Sequence, residues 1–247
     1  MTKTDTDILA QDHNDGLLTL SLNRPGNANA LNLDLTEALI TAVTQSTNTH
    51  LCVIRGEGKH FCAGFDLSDL ENMNDSDLLW RILRIETMLQ AIHHAPFPVV
   101  ALAQGQLVGA GADLFAGCWR RVATADAKFR MPGWNFELAL GTRRLTHLVG
   151  HDSARDMLID TKVLSANQSL ANGLATDITE QEAWPELIEQ LKHRTSNLSA
   201  LALKNMLELT TIDNRDRDLA SIVKTAGRPG LKDRIIAYRN QIKPARK

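Results

Sequence analysis

Two short stretches of this chain carry residue types that can stabilise a negatively charged oxygen. They are Phe61-Cys-Ala-Gly-Phe-Asp-Leu67 and Gly105-Gln-Leu-Val-Gly-Ala-Gly-Ala-Asp-Leu114, and each follows a strand-like run. Small residues let a ligand come close to the backbone, and a helix N-terminus leaves N–H groups without partners. Set side by side, two such turns present two convergent N–H donors. Such a pair holds the charge that builds on a thioester oxygen when the ester becomes an enolate. One strand–glycine–helix junction is more often a joint than a site, so the weight lies on the pair. The second turn is not a dinucleotide fingerprint. Gly105, Gly109 and Gly111 have the wrong spacing, and no P-loop lysine follows.

Enolate chemistry also needs a group that moves a proton. Two acids lie in and after the second turn, Asp113 at the start of its helix and Glu137 in the segment 133–143. Each has a plainer reading. Asp113 can bond nearby backbone or pair with Arg120 or Arg121, and Glu137 can be a solvated carboxylate at a loop or helix start. Trp134 and Phe136 suit core or the wall of an acyl pocket. His93 and His94 close a helix ahead of Pro96, where cations are favoured, and read as structural. Cys62 reads as a small buried residue before it reads as a nucleophile. Ser68, Ser153 and Cys62 are available for a hydrolase, but there is no G-x-S-x-G elbow.

The elements that must position these residues follow from apolar spacing. Gly16–Leu22 alternates apolar and polar residues as a strand does, and Asn23-Arg-Pro-Gly-Asn27 stops it. Leu35, Ala38, Leu39, Ala42 and Val43 recur at helical spacing. Residues 51–55 and 98–103 read as buried strands, residues 78–92 as a helix, and a further helix begins near Ala110. Strand–helix alternation predicts an α/β fold. Beyond about residue 185 strand signals fade, and Leu187–Leu209 and Leu219–Ile242 read as helices with a break at Gly227-Arg-Pro-Gly230. The division expected is a core over 1–185 and a helical region over 186–247.

Composition sets the outer bounds. The 247 residues are 43% hydrophobic and 23% charged, which suits a soluble chain with a sizeable core. With 27 basic and 29 acidic residues the net charge is −2, so no basic field favours nucleic acid or anionic lipid. Cys52, Cys62 and Cys118 are too scattered for a disulfide framework, and no metal-ligand spacing is present. Cytoplasmic placement is the expectation, because residues 1–7 lack the apolar run of a secretory signal. The uncharged run Ala95–Ala112 holds two prolines and three glycines and reads as strand, turn and helix start rather than a membrane span.

Several motifs together resemble those of the enoyl-CoA hydratase/isomerase (crotonase) superfamily. Leu22-Asn-Arg-Pro-Gly-Asn-Ala-Asn-Ala-Leu31 is similar to its N-terminal signature. The 61–67 and 98–114 segments resemble its two oxyanion segments. Ala127–Pro132, Arg144-Leu145 and Leu148-Val-Gly150 are similar to the stretch that follows. Ser165-Ala-Asn-Gln-Ser-Leu-Ala-Asn-Gly-Leu-Ala175 resembles its later S-A-x-x-A-x-x-x-G-L-V pattern, with Ser169 for the usual alanine. The likeness runs in order over about 16–180, and several motifs in one order are more specific than any alone.

The resemblance implies a crotonase-like spiral of ββα repeats with C-terminal helices that pack in a homotrimer or dimer of trimers. It implies an acyl-CoA substrate whose thioester carbonyl is held by the N–H groups of Phe65 and Ala110. It places the CoA part along Asn27, Ala28, Ala63, Phe65, Asp66 and Leu67, with Trp134 at the acyl pocket and His60 as a surface residue or a CoA-phosphate contact. No metal or redox cofactor is expected, coenzyme A entering only as part of the substrate. Family hydratases use two glutamates, and here those positions hold Asp113 and Gly133. The 133–143 loop is also shorter than usual, and Glu137 within it is the substitute candidate for a base. Double-bond isomerisation therefore ranks level with hydration. The alternatives are a non-catalytic acyl-CoA-binding relative that has lost the acids, favoured by Gly133, and a CoA-thioester hydrolase.

Overall fold

The computed structural model describes residues 7–242. A six-stranded sheet forms the centre. Its first hairpin is β1 (Leu9–Asn14) and β2 (Leu17–Leu22), followed by α1 (Leu33–Thr44) and β3 (Leu51–Gly56). Next come α2 (Asp75–His93), β4 (Val99–Ala103), β5 (Gln106–Val108), α3 (Ala110–Ala116), β6 (Arg120–Ala123) and β7 (Lys128–Arg130). The chain continues through α4 (Thr142–Val149), α5 (His151–Asp160), β8 (Leu164–Ser165), α6 (Ala166–Ala171) and β9 (Asp177–Ile178). It then runs through α7 (Trp184–Ser196), α8 (Ala200–Thr210), α9 (Arg215–Ala226) and α10 (Leu231–Ile242).

The central sheet has the order β1-β2-β3-β4-β6-β9, parallel from β2 onward. A smaller sheet, β5-β7-β8, is fed by the same turns of chain. This is the crotonase-like spiral that the resemblance implies. Parallel strands are covered on both faces, which is why β4 is buried along its whole length and reads as an unbroken apolar run. Leu51, Val53, Val100, Leu102 and Val122 pack beneath Trp184 and Leu191 of α7, while Leu20, Leu22, Ile54 and Ala101 join the main core.

Side-chain caps fix the starts of the first two long helices. Asn32 accepts from the Leu35 N–H at α1, and Asn74 with Asp77 forms a reciprocal capping box at α2. The single helical pattern expected over 187–209 is two helices, because the Ser199 hydroxyl accepts from Ala202 N–H and starts α8 afresh. The strands β7, β8 and β9 have two or three residues each, too short for a period to show in sequence. From Trp184 onward the described chain is helical. Among the described residues no helix is long and apolar enough to cross a membrane.

Candidate active site

Backbone bonds clamp the two glycine-bearing turns together. Phe61 N–H donates to Gln104 O (2.8 Å), Cys62 N–H to Gln106 O (3.3 Å) and Val108 N–H to Cys62 O (3.1 Å). The N-terminal turn joins them, since Leu31 N–H donates to Gly64 O (2.7 Å) and Asp66 N–H to Leu31 O (3.1 Å). Its own shape is held by Asn29, whose buried amide donates to the carbonyls of Glu57 (2.9 Å) and His60 (2.8 Å). Gly64 sits at φ +86°, and a Cβ there would lie 2.2 Å from Val108 O and 3.2 Å from Ala110 N. Only glycine lets the first turn lie this close to the second.

That contact brings Phe65 and Ala110 to one cavity of about 210 Å³. Neither residue's N–H has an acceptor within the described chain. Ala110 opens α3, where the first amides have no intrahelical partner, and the pairing of Leu31 with residue 65 uses the flanking groups and bypasses Phe65 N–H. Most of the cavity wall is apolar, with Ile82, Ile85, Leu138, Leu140 and Leu145 among its residues beside Arg130 and Thr142, and Ile235 and Tyr238 reach it from α10. Ala63, Leu67 and Trp134 line it as well. Trp134 stays 42% exposed and donates from Nε1 to Thr142 Oγ1 (3.2 Å).

Asp113, one turn into α3, is 6% exposed and is the single carboxylate on that wall among the described residues. No hydrogen bond reaches its carboxyl group, and it pairs with neither Arg120 nor Arg121. Arg121 is spent on the carbonyls of Leu174, Gly173, Cys118 and Trp119, and Arg120 faces Asp177. Burial raises Asp113 to about 8, with Arg144 opposing and Glu86 reinforcing the rise. At Gly141, the residue before α4, an added Cβ would lie 1.8 Å from Asp113 Oδ1. The carboxyl group occupies the volume a side chain would need.

Glu137 is not brought to this cavity. It is half exposed, at φ +62°, and its carboxylate meets Arg228 (2.6 Å) and Arg234 (3.8 Å). Glu137 thus lies off the cavity wall that carries Asp113, beside two C-terminal guanidinium groups. Gly133, at the position where a glutamate is expected, lines the cavity with no ionisable group to offer. Asp66 is committed as well. Arg24 Nη1 lies 2.8 Å from Oδ2, and Ser68 N–H donates to Oδ1 (2.9 Å). Burial works against its ionisation, yet the Ser68 and Arg24 bonds hold it below the usual carboxylate range. Asp66 thus ties the first two turns, while Asn27 is exposed outside the cavity and Ala28 O accepts from Ala63 N–H (2.9 Å).

The remaining candidates, His60, His93 and Cys62, do not line this cavity. His60 Nδ1 accepts from Gln106 N–H (3.2 Å). His93 donates from Nδ1 to Gly117 O (3.1 Å), and burial lowers it to about 4, so it is neutral. Burial pushes the Cys62 thiol up to about 12, which removes it as a nucleophile. Among the described residues no cluster of His, Cys, Asp and Glu could hold a metal ion. Sequence reasoning missed Ile235 and Tyr238, far along the chain with no motif to mark them. It also missed Glu86, an acid on an apolar helical face.

Parallel strands wound as a spiral, with two glycine-bearing turns and one buried carboxyl group at a largely apolar cavity, define an α/β chain of crotonase architecture. The family model for enoyl-CoA hydratase/isomerase matches residues 17–226, and the chain belongs to that family. A solved structure from Bordetella parapertussis, described as "putative enoyl-CoA hydratase/isomerase", is 38% identical with a TM-score of 0.92, covering 96% of this chain and 99% of that one. A Mycobacterium leprae protein named "Probable enoyl-CoA hydratase echA6" is 36% identical over 182 residues, 69% of this chain and 72% of its own length. The 2,3-dehydroadipyl-CoA hydratase of Escherichia coli is 32% identical over 201 residues, 76% of this chain and 75% of its own.

Proposed function

We propose that this chain processes acyl-CoA thioesters through an enolate, and that double-bond isomerisation is the reaction its residues suit best. The observation that carries the reading is a single buried carboxyl group, Asp113, on a cavity also lined by Phe65 and Ala110, whose N–H groups have no acceptor among the described residues. The thioester oxygen accepts from Phe65 N–H and Ala110 N–H. The Asp113 carboxylate takes the α-proton of a 3-enoyl thioester, and the electron pair moves onto that oxygen as a dienolate. The resulting carboxylic acid returns the proton to the γ-carbon, the carbonyl re-forms, and a conjugated 2-enoyl thioester leaves. One group that both removes and returns a proton suffices, whereas the two-glutamate hydration scheme lacks its second acid at Gly133.

In this reading the apolar wall takes the acyl chain, and the CoA part runs along Asn27, Ala28, Ala63 and Leu67. Hydration is the second reading, favoured by the hydratase names of the relatives. Exposed Leu201, Leu209 and Ile212, on and just after α8, support self-association as a homotrimer or dimer of trimers. The test is purified protein with a 3-enoyl-CoA and, separately, crotonyl-CoA, followed by the ultraviolet absorbance of the conjugated thioester. Absorbance that rises with the first substrate supports isomerisation, and loss with the second supports hydration. Tight binding of both without turnover favours a binding protein.

A further inference from the structure

Beside Asp113 lies a set of buried charges with no part in the reaction as derived above. Glu86 of α2 is fully buried and accepts twice from Arg144 of α4, Nη1 to Oε1 at 2.9 Å and Nη2 to Oε2 at 2.5 Å. Arg144 Nη1 also lies 3.4 Å from Asp218 Oδ2 on α9, and Arg143 Nη1 lies 2.6 Å from Asp218 Oδ1. Gln90 donates to Glu86 Oε1 (2.9 Å). Arg144 stands three residues after Gly141, the glycine whose Cα abuts the Asp113 carboxyl group. The set therefore joins three helices around the start of α4.

Stability alone is a poor account of such a cluster. Desolvating buried ions costs nearly as much as their attraction returns, and apolar replacements of the same volume are often no less stable. The charge count is more telling. Two guanidinium groups, Arg143 and Arg144, face two carboxylates, Glu86 and Asp218, so the set is already balanced. Ionised Asp113 adds a third negative charge that no cation of this set is left to balance. His93 and His94 supply none, since burial lowers both. Arg130, the remaining cation on the cavity wall among the described residues, lies over the Tyr238 ring, 6.0 Å from its centroid.

We propose that Glu86, Arg144 and Asp218 are positioning residues for Asp113, a balanced ion cluster that governs whether its carboxyl group carries charge. The proposal rests on the reading of Asp113 as the proton carrier. The two can fail separately. The experiment is an NMR titration of the protein with 13C-labelled aspartate, the Asp113 signal being assigned with Asp113→Asn, alongside pH–rate profiles of the same samples. Glu86→Gln removes a repelling charge and frees part of Arg144, so the midpoint should fall by about one unit. Asp218→Asn should lower it less, and Arg144→Met should raise it. Opposite shifts from two partners of one ion pair are not what a merely structural role gives.

A midpoint unmoved in folded Glu86→Gln and Asp218→Asn proteins overturns the proposal. Those two variants decide it even where Arg144→Met does not fold. A midpoint that moves while the rate profile stays put supports the cluster's role and overturns that of Asp113 as proton carrier.

Discussion

At the scale of single residues, Asp113 and Glu137 show how burial divides two carboxylates. Asp113 titrates near 8, so at pH 7 about one molecule in ten carries it ionised. If it acts as the base, kcat/KM rises about tenfold per pH unit below 8 and levels above it, which a pH–rate series measures. Asp113→Asn should lower kcat by about 10²–10³-fold and leave acyl-CoA binding in place, as turnover and calorimetry would show. The same residue makes stability pH-dependent. Its ordinary value is 3.8, so between about 4 and 8 the native state holds a proton that the unfolded chain has released. Stability therefore falls as pH rises across that window. The Tm of Asp113→Asn should match that of the parent near pH 4 and exceed it increasingly up to pH 8. Glu137 is half exposed between Arg228 and Arg234, off the cavity wall. Glu137→Gln should keep kcat and change stability by no more than about 1 kcal/mol, and a large loss of kcat would restore it as a base.

At the scale of elements, the site is two strand–turn–helix junctions pressed together. Their existence was legible, because Gly105–Gly111 and the run 61–67 each end an apolar strand pattern. Their contact was legible only through the family resemblance, since Cys62 and Leu107 pair across chain that carries no shared period. Gly64→Ala tests it. The new methyl would stand 2.2 Å from Val108 O at a φ of +86°, so the turn must shift and carry Phe65 N–H with it. The expected loss in kcat is about 10²–10³-fold, the worth of one lost oxyanion donor, together with a lowered Tm. Activity close to that of the parent would show that the two amides do not act as a pair.

At the scale of the whole molecule, α10 returns to close the site. Leu231 and Ile235 pack with Leu70, Leu78, Ile82 and Leu138, and Ile235 and Tyr238 face the cavity. Residues 186–247 read from sequence as helical with an assembling role, and no local signal tied them to the acyl wall. Ile235→Ala should cost about 2–4 kcal/mol in chemical denaturation. It should also shift preference toward longer or bulkier acyl-CoAs in a kcat/KM series. An unchanged acyl profile would place the acyl chain elsewhere.

Local order was the sequence's to decide. Unbroken apolar runs must be covered strands, glycines set the turns, and Asn74 with Asp77 starts a helix, all through neighbours a few residues apart. The surroundings of the acids were decided only by tertiary structure. A carboxyl group's charge depends on the water and ions around it, and those around Asp113 and Glu137 come from Glu86, Arg144, Arg228 and Arg234, residues brought near by folding.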